Sequence, residues 1–564
     1  MPMSAPHVLL EREKDLDLLA GVLEDVEASG GRVVLIRGEA GIGKTALVRG
    51  FLERYGEKAH VLLGGCDDLA TPRPLAPFWD MARHESLLRD PLQAEDRWGL
   101  TEAILDLLER SLRPTIAVIE DTHWADEATL DVVSYLGRRI GDTYGLLVLT
   151  YRDGEVDFDH PLRRVMGGLS PDRVVRMRLG GLSKTAVSSL LADSYLDLER
   201  VYTATDGNPF LVTEMAAGSP DAVPSSVQDS VMARVKRMSP SAREMLNLLS
   251  VIPKSVSKEE LQRLVREDVD QSIAECEQRG LLDVDNESIG FRHELLRQAV
   301  ETSLTANERI ALNQTVLDAL PQDVDPAHLA HHAREAHDVE SILSHTPAAA
   351  LAASAVGSHR EAVDHFRQLE PYLDHLASDV RASLLEDWAR TERIAGNWTE
   401  ASTHVEKALR LYREIGDRAA EARTLVRAAY YHKYAGERDA AERYARQAIE
   451  VLGTNPDGRE LARALEVNAF FAMQASDVTA TLELVERTLE AAGPGIDERI
   501  LVRCLNHRGT VLNLARYPDG LETLNEARQH ARAAGLWEEE SRALVNHARS
   551  PPRFATYPTP KTTH

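Results

Sequence analysis

Val33-Val34-Leu35-Ile36 is followed, after Arg37, by Gly38-Glu39-Ala40-Gly41-Ile42-Gly43-Lys44-Thr45 and then by Ala46-Leu47-Val48-Arg49. Four apolar residues, three of them β-branched, predict a short strand buried on both faces. A glycine-rich loop and a helix start come next, in the order that a phosphate cradle requires. Glycines let the loop wrap a phosphate with backbone N–H groups that no Cβ obstructs. The helix start adds further N–H groups and a favourable dipole. Lys44 can reach the β and γ phosphates, and the Thr45 hydroxyl can ligate Mg²⁺. The bland alternative is a chance glycine turn, which the flanking strand and helix disfavour. The motif therefore predicts ATP and magnesium binding by residues Gly38 to Ala46.

A phosphate site of this kind needs a carboxylate to hold magnesium or orient water. Thr115-Ile116-Ala117-Val118-Ile119 runs into Glu120-Asp121, a second apolar strand that ends in two acids. Glu120 is favoured on the magnesium side and Asp121 as the water-orienting group, but spacing alone leaves the assignment open. Acidic residues at the exposed end of a buried strand are common in α/β folds, so this pair gains its meaning from the loop beside it. A third apolar run, Leu146-Leu147-Val148-Leu149-Thr150, leads into Tyr151-Arg152. An arginine at such a strand end can sense or stabilise a γ-phosphate. It can also be a surface residue paired with Asp153 or Glu155. Upstream, Leu16, Leu19, Val22, Leu23 and Val26 recur at helical spacing and predict a helix over 13–28.

The chain has 564 residues, which predicts two to four domains. With 65 basic and 90 acidic residues its net charge is −25, a poor surface for a nucleic-acid backbone. The three cysteines, Cys66, Cys276 and Cys504, lie too far apart in sequence for metal-ligand or redox spacing. Residues 1–7 lack a secretion signal's pattern, and no apolar run reaches membrane-spanning length. These features point to the cytoplasm.

Several segments together resemble the large LuxR-type ATP-binding regulators and their relatives in the STAND branch of AAA+ P-loop ATPases. They are Leu10-Glu11-Arg12-Glu13, the glycine-rich loop, Cys66-Asp67-Asp68 with Thr71-Pro72-Arg73-Pro74-Leu75, Glu120-Asp121-Thr122-His123-Trp124-Ala125-Asp126, Thr150-Tyr151-Arg152 and Asp206-Gly207-Asn208-Pro209-Phe210. The resemblance spans roughly residues 8 to 300. It implies that Pro209 lies on a helical lid near adenine and that a winged helix follows, covering bound ADP. It also implies that His293 contacts the nucleotide phosphate; a lone histidine is otherwise more often a structural residue. From the residues themselves, helices are expected over 227–238, 241–249 and 259–279. Two strands, 281–284 and 288–291, are expected to pair around an Asp285-Asn286 turn. DNA binding by this element is disfavoured, because an acidic helical array follows it.

That array announces itself by period. Gly357-Ser358-His359-Arg360-Glu361-Ala362, Gly396-Asn397-Trp398-Thr399-Glu400-Ala401 and Gly436-Glu437-Arg438-Asp439-Ala440-Ala441 are copies of one segment. Degenerate copies begin at Ser476 and Arg516, so successive starts differ by 39, 40, 40 and 40 residues. Small residues at helix crossings predict tetratricopeptide-like helix pairs stacked into a superhelix, with longer helices than the usual unit. No residue of the repeats marks a pocket. The array is expected to bind a protein or small inducer, with a ligand-free scaffold as the alternative.

The expected fold is thus multidomain α/β plus α, with a parallel-sheet P-loop ATPase core at 1–170 and a helical lid at 171–222. A winged helix at 223–302, a connector at 303–345, tetratricopeptide-like repeats at 346–548 and a disordered tail at 549–564 follow. The resemblance implies a slow ATPase switch: ATP favours an open, self-associating state, and ADP a closed one. Transcriptional regulation is implied for full-length relatives that end in a helix-turn-helix, a domain not visible here, which suggests a truncated or frameshifted end. The other readings are a nucleotide-stabilised scaffold and the regulatory module of a nucleotide cyclase.

Overall fold

The structure is a computed structural model that describes residues 9–110, 113–192, 196–216, 227–253, 255–265, 269–284, 288–321, 324–452 and 458–548. Three expectations lie outside these residues: the Asp285-Asn286 turn, the character of residues 1–7 and the tail at 549–564. The lid–winged-helix junction at 222/223 also lies outside them. The chain divides into two compact units, Met1–Tyr372 and Leu373–His564.

In the first unit the apolar runs become β1 (Arg32–Arg37), β2 (His60–Gly65), β3 (Thr115–Glu120), β4 (Gly145–Tyr151) and β5 (Val174–Arg178). They form one parallel sheet in the order β2-β3-β4-β1-β5. Alternate residues serve opposite faces. Val33, Leu35, Ala117, Ile119, Leu147 and Leu149 join one core, with Val132, Val133 and Leu136 of the Glu127–Arg139 helix. Val34, Ile36, Ile116, Val118, Leu146 and Val148 join the other, under the Glu13–Ser29 and Lys44–Tyr55 helices. Both faces are covered, which is why these strands read as unbroken apolar runs. Because all five run the same way, the loops after β1, β3 and β4 emerge on one edge, with β4 between the other two.

Three short helices follow: Lys184–Leu190, Leu198–Thr205 and Pro209–Ala216. They share a small core of Leu182, Val187, Val201 and Val212. The next segment packs the helices Val227–Val235, Pro240–Ser250, Lys258–Leu264, Val269–Gln278 and Glu294–Ser303 around one core. Its two strands, β6 (Leu282–Val284) and β7 (Ile289–Phe291), pair antiparallel, and Val256 bridges to Ile289. The single helix expected over 259–279 is instead two helices, because Val265 turns extended (φ −110°, ψ 126°). Leu261, Val265, Val269, Ile273 and Cys276 keep three-or-four spacing through that break and face one core, so periodicity could not reveal it.

The second unit is a stack of helix pairs: Ser378–Ile394 with Trp398–Ile415, Arg418–Tyr434 with Arg438–Leu452, Gly458–Gln474 with Val478–Ala492, and Glu498–Leu514 with Asp519–Ala533. The Trp537–Ala548 helix follows. Each pair turns on a left-handed residue: Gly396 (φ +88°), Gly436 (+88°), Ser476 (+58°) and Arg516 (+65°). The degenerate copies therefore keep the backbone geometry after losing the glycine. The first copy of the motif turns the same way at Gly357 (φ +86°) but packs within the first unit. There Ser358 Oγ donates to Asp126 Oδ1 at 2.8 Å, and the Glu127 N–H donates to Glu361 at 3.1 Å. Among the described residues no helix is long and apolar enough to cross a membrane.

Candidate functional site

The loop after β1 is shaped by two left-handed glycines, Gly41 (φ +77°) and Gly43 (φ +98°). A Cβ on Gly41 would also lie 2.8 Å from Phe210 Cβ, so the Pro209–Ala216 helix could not approach the loop this closely with a side chain there. Lys44 opens the following helix and is buried. Its ammonium donates to the carbonyls of Gly38 and Glu39, 3.0 Å each. Burial lowers its pKa, and Asp121 pulls it partly back.

At the end of β3 the Thr45 hydroxyl hydrogen-bonds to the Glu120 carboxylate, and burial raises the Glu120 pKa. Glu120 Oε1 is enclosed and has no hydrogen-bond partner among the described residues. A buried, unpartnered carboxylate oxygen beside a threonine hydroxyl fits a small oxygen-seeking cation such as Mg²⁺. No described cluster of three or more His, Cys, Asp or Glu side chains could hold a metal alone, so phosphates and water would complete its shell. Asp121 turns the chain in the left-handed region (φ +52°), and its N–H donates to Thr150 Oγ1 at 3.0 Å. That turn separates the two acids: Glu120 meets Thr45, while Asp121 lines the open cavity. Burial raises the Asp121 pKa, against the opposing pull of Arg152 and Lys44.

Arg152, at the end of β4, lines the same cavity. Its guanidinium lies 4.4 Å over the Trp124 ring and pairs with Glu155 at 2.6 Å. Arg152 is thus no exposed surface residue: it makes the ion pair with Glu155 while buried, and its charge acts on Lys44 and Asp121. His123 packs against Trp124, and its pKa is pushed down to about 3 by burial, then by Arg152 and Lys44. It is neutral at physiological pH.

The Pro209–Ala216 helix and the five-helix module supply the cavity's other walls. Asn208 Nδ2 donates to Ala40 O at 2.9 Å, and the Phe210 N–H donates to Gly41 O at 3.3 Å. Pro209 therefore sits at the rim of the phosphate loop. His293 stacks on Phe210 (centroids 4.1 Å, 24° between planes) and caps the Glu294–Ser303 helix through Nδ1. Burial, Arg152 and Lys44 push its pKa down to about 4. The resulting cavity holds about 370 Å³ and is bounded by Lys44, Thr45, Asp121, Arg152, Pro209 and His293. Gly41, Gly43, Ala40 and Ala46 also line it; Gly38, Glu39, Ile42 and Glu120 do not.

Sequence reasoning missed other participants. Arg12 donates to Ile42 O at 3.2 Å and to Gly180 O at 2.7 Å, tying the phosphate loop to the start of the lid. Glu11 accepts from Ser183. Arg49, on the helix after the loop, pairs with Asp283 of β6 at 2.9 Å. Asp126 faces away from the cavity; it caps the Glu127–Arg139 helix and accepts from the Leu75 N–H at 3.0 Å. Glu11, Arg12, Ile42, Leu75 and Asp126 lay within the motifs that carried the resemblance, but nothing local indicated these contacts.

Residues 8–149 match the family model of the AAA ATPase domain, and residues 380–453 match that of the tetratricopeptide repeat. An uncharacterised protein of Rhizobium meliloti (strain 1021) is 25% identical over 444 residues, covering 65% of this chain and 42% of that protein. The chain thus spans less than half the length of that curated relative. Among solved structures it is similar to a Signal Transduction ATPase with Numerous Domains (STAND) protein with a tetratricopeptide repeat sensor from Pyrococcus horikoshii. That likeness has a TM-score of 0.44 at 15% identity, over 96% of this chain and 86% of the other. It is also similar to Cdc6p from Pyrobaculum aerophilum (TM-score 0.29, 17% identity, 57% of this chain and 98% of the other).

Proposed function

The chain carries an AAA ATPase domain and tetratricopeptide repeats, and we propose that it is a nucleotide-dependent signalling switch in the cytoplasm. One observation carries the reading: the phosphate loop, the β3 and β4 ends, the lid and the five-helix module all line a single cavity. A nucleotide there would touch each of these elements at once, so its phosphate count would bias their arrangement. The five-helix module with its β6–β7 hairpin is read as a winged helix serving as the wall of this site. Pro209 and Phe210 suit the base, and His293, neutral and stacked, would donate to or accept from a phosphate-proximal group.

Lys44 and the loop N–H groups would bind the β and γ phosphates. Thr45 and Glu120 would hold Mg²⁺, which would neutralise charge on the phosphate oxygens. Asp121, on the open side of the strand end, is assigned to orient the attacking water, and Arg152 to meet the γ-phosphate once it exchanges its Glu155 contact. The repeats would sense a protein or small-molecule inducer. The LuxR-type resemblance extends the reading to transcriptional control through domains that longer relatives carry.

The test is steady-state phosphate release from ATP by the full chain with magnesium. Slow release is expected, falling about 100-fold in Asp121→Asn. No release by the parent chain in any condition would leave a nucleotide-stabilised scaffold instead.

A further inference from the structure

The repeats hold a second cavity, of about 510 Å³, that no motif announces. It lies wholly within the second unit, chiefly on the helices Arg418–Tyr434, Gly458–Gln474, Glu498–Leu514 and Trp537–Ala548, with Arg438 from the start of the Arg438–Leu452 helix. Its lining combines Lys433, Arg438 and Arg542 with Phe470, Met473 and Leu514, and includes no carboxylate. That is unexpected in a chain with 90 acidic residues and a net charge of −25.

The carboxylates nearby are already engaged. Glu466, buried beneath the floor, accepts from His507 at 2.9 Å and from the Tyr430 hydroxyl at 2.8 Å. Glu539 is taken by Arg503 at 3.2 Å. Glu538 and Glu442 pair outside the lining with Arg542 (3.0 Å) and Arg438 (2.9 Å). Lys433 has no carboxylate within ion-pair distance among the described residues; its ammonium rests on the rings of Phe470 (3.8 Å) and Tyr434 (4.4 Å). Burial and the neighbouring charges of Arg542 and Arg503 push its pKa down to about 8, against the weaker pull of Glu466 and Glu538. A partly dehydrated ammonium facing further cations is a site short of one negative charge.

We propose that this cavity binds an organic carboxylate with an apolar body, its anionic group between Lys433 and Arg542 and its body on Phe470, Met473 and Leu514. The volume suits a small molecule. Convergent cations fix the carboxylate end, while the exposed Leu514 and half-buried Met473 offer apolar surface beside the edge of Phe470. The chemistry is shared by a free organic acid and by the C-terminal residue of a peptide. The inference rests on the repeats being the sensing half of the switch. Its test reads binding to the repeats without nucleotide, so its failure would leave the nucleotide site untouched.

The experiment titrates the full chain with benzoate, 3-phenylpropionate, 4-phenylbutyrate and adipate, each beside its neutral amide, by ligand-observed NMR at millimolar concentration. A second arm uses Ala-Ala-Phe with a free or an amidated C-terminus. The expected result is that at least one carboxylate binds, its amide does not, and binding weakens at least ten-fold in Lys433→Gln and in Arg542→Gln. Binding confined to the peptide arm identifies a chain terminus as the source; binding in the first arm identifies a free acid. The circular dichroism melt of each variant shows that the repeats remain folded, and a variant that unfolds is replaced by Lys433→Met. Absence of binding by every carboxylate, equal binding by the amides, or unchanged affinity in the folded variants would overturn the proposal.

Discussion

In the first unit, residues that meet come from distant stretches of its sequence; in the second, they come from neighbouring repeats. Lys44, Asp121, Arg152, Pro209 and His293 line one cavity because a parallel sheet and two appended modules bring them to one edge. In the repeats, Tyr430 reaches Glu466, Thr424 reaches Glu386, and Asn546 reaches Asn506, each about one period away. The first arrangement concentrates buried charge and left-handed backbone at a single place. The second spreads modest contacts along a stack, where each unit answers chiefly to its neighbours. A perturbation should therefore propagate through the first unit and stay local in the second.

Acid should expose this contrast most strongly. His331 is pushed down to about 2, His123 and His332 to about 3, and His293 and His365 to about 4, each chiefly by burial. All five lie in the first unit. Their folded pKa values lie below the ordinary 6.5, so the unfolded chain takes up protons that the folded chain refuses. Their contribution to stability is intact above about pH 6.5 and is lost as pH falls from there towards 4. It must exceed the opposite contribution of Glu361, which burial raises to about 8 and which therefore favours the folded unit as pH falls through the same range. Peptide-resolved hydrogen exchange should show the first unit losing protection before the second across that window. Simultaneous loss, or loss in the second unit first, would break the comparison.

A smaller effect should sharpen it. Gly436 sits at φ +88° with open space where a Cβ would project. Gly436→Ala should therefore cost about 1 kcal/mol through backbone conformation alone. Ser476→Gly, at the equivalent turn, should gain less than that, because glycine also loosens the unfolded chain. Both changes are read by urea unfolding, with exchange changes confined to adjacent helices. A neutral Gly436→Ala would mean that the turn does not require its left-handed residue.

How much of this was legible in the sequence follows from the same contrast. The phosphate loop, the strand that ends in Glu120-Asp121 and the repeat period are local patterns, and local patterns survive in one dimension. Arg12 binding the Ile42 carbonyl, Arg49 meeting Asp283 and His293 stacking on Phe210 are tertiary encounters without a local signature. The Lys433 cavity was hidden for another reason: its cations and apolar residues occupy ordinary helical positions and converge only when the repeats stack. The break at Val265 was invisible because both short helices keep the same apolar phase.

The central claim is that Lys44 anchors a nucleotide in the first unit while the second unit folds independently of that contact. Isothermal titration of Mg·ATP into the full chain and into Lys44→Ala tests it most directly, with hydrogen exchange of residues 378–548 followed in both. Loss of a buried, charge-assisted contact to phosphate should weaken binding by about 100-fold or more and leave exchange in the repeats unchanged. Parent-like affinity in Lys44→Ala would contradict the account.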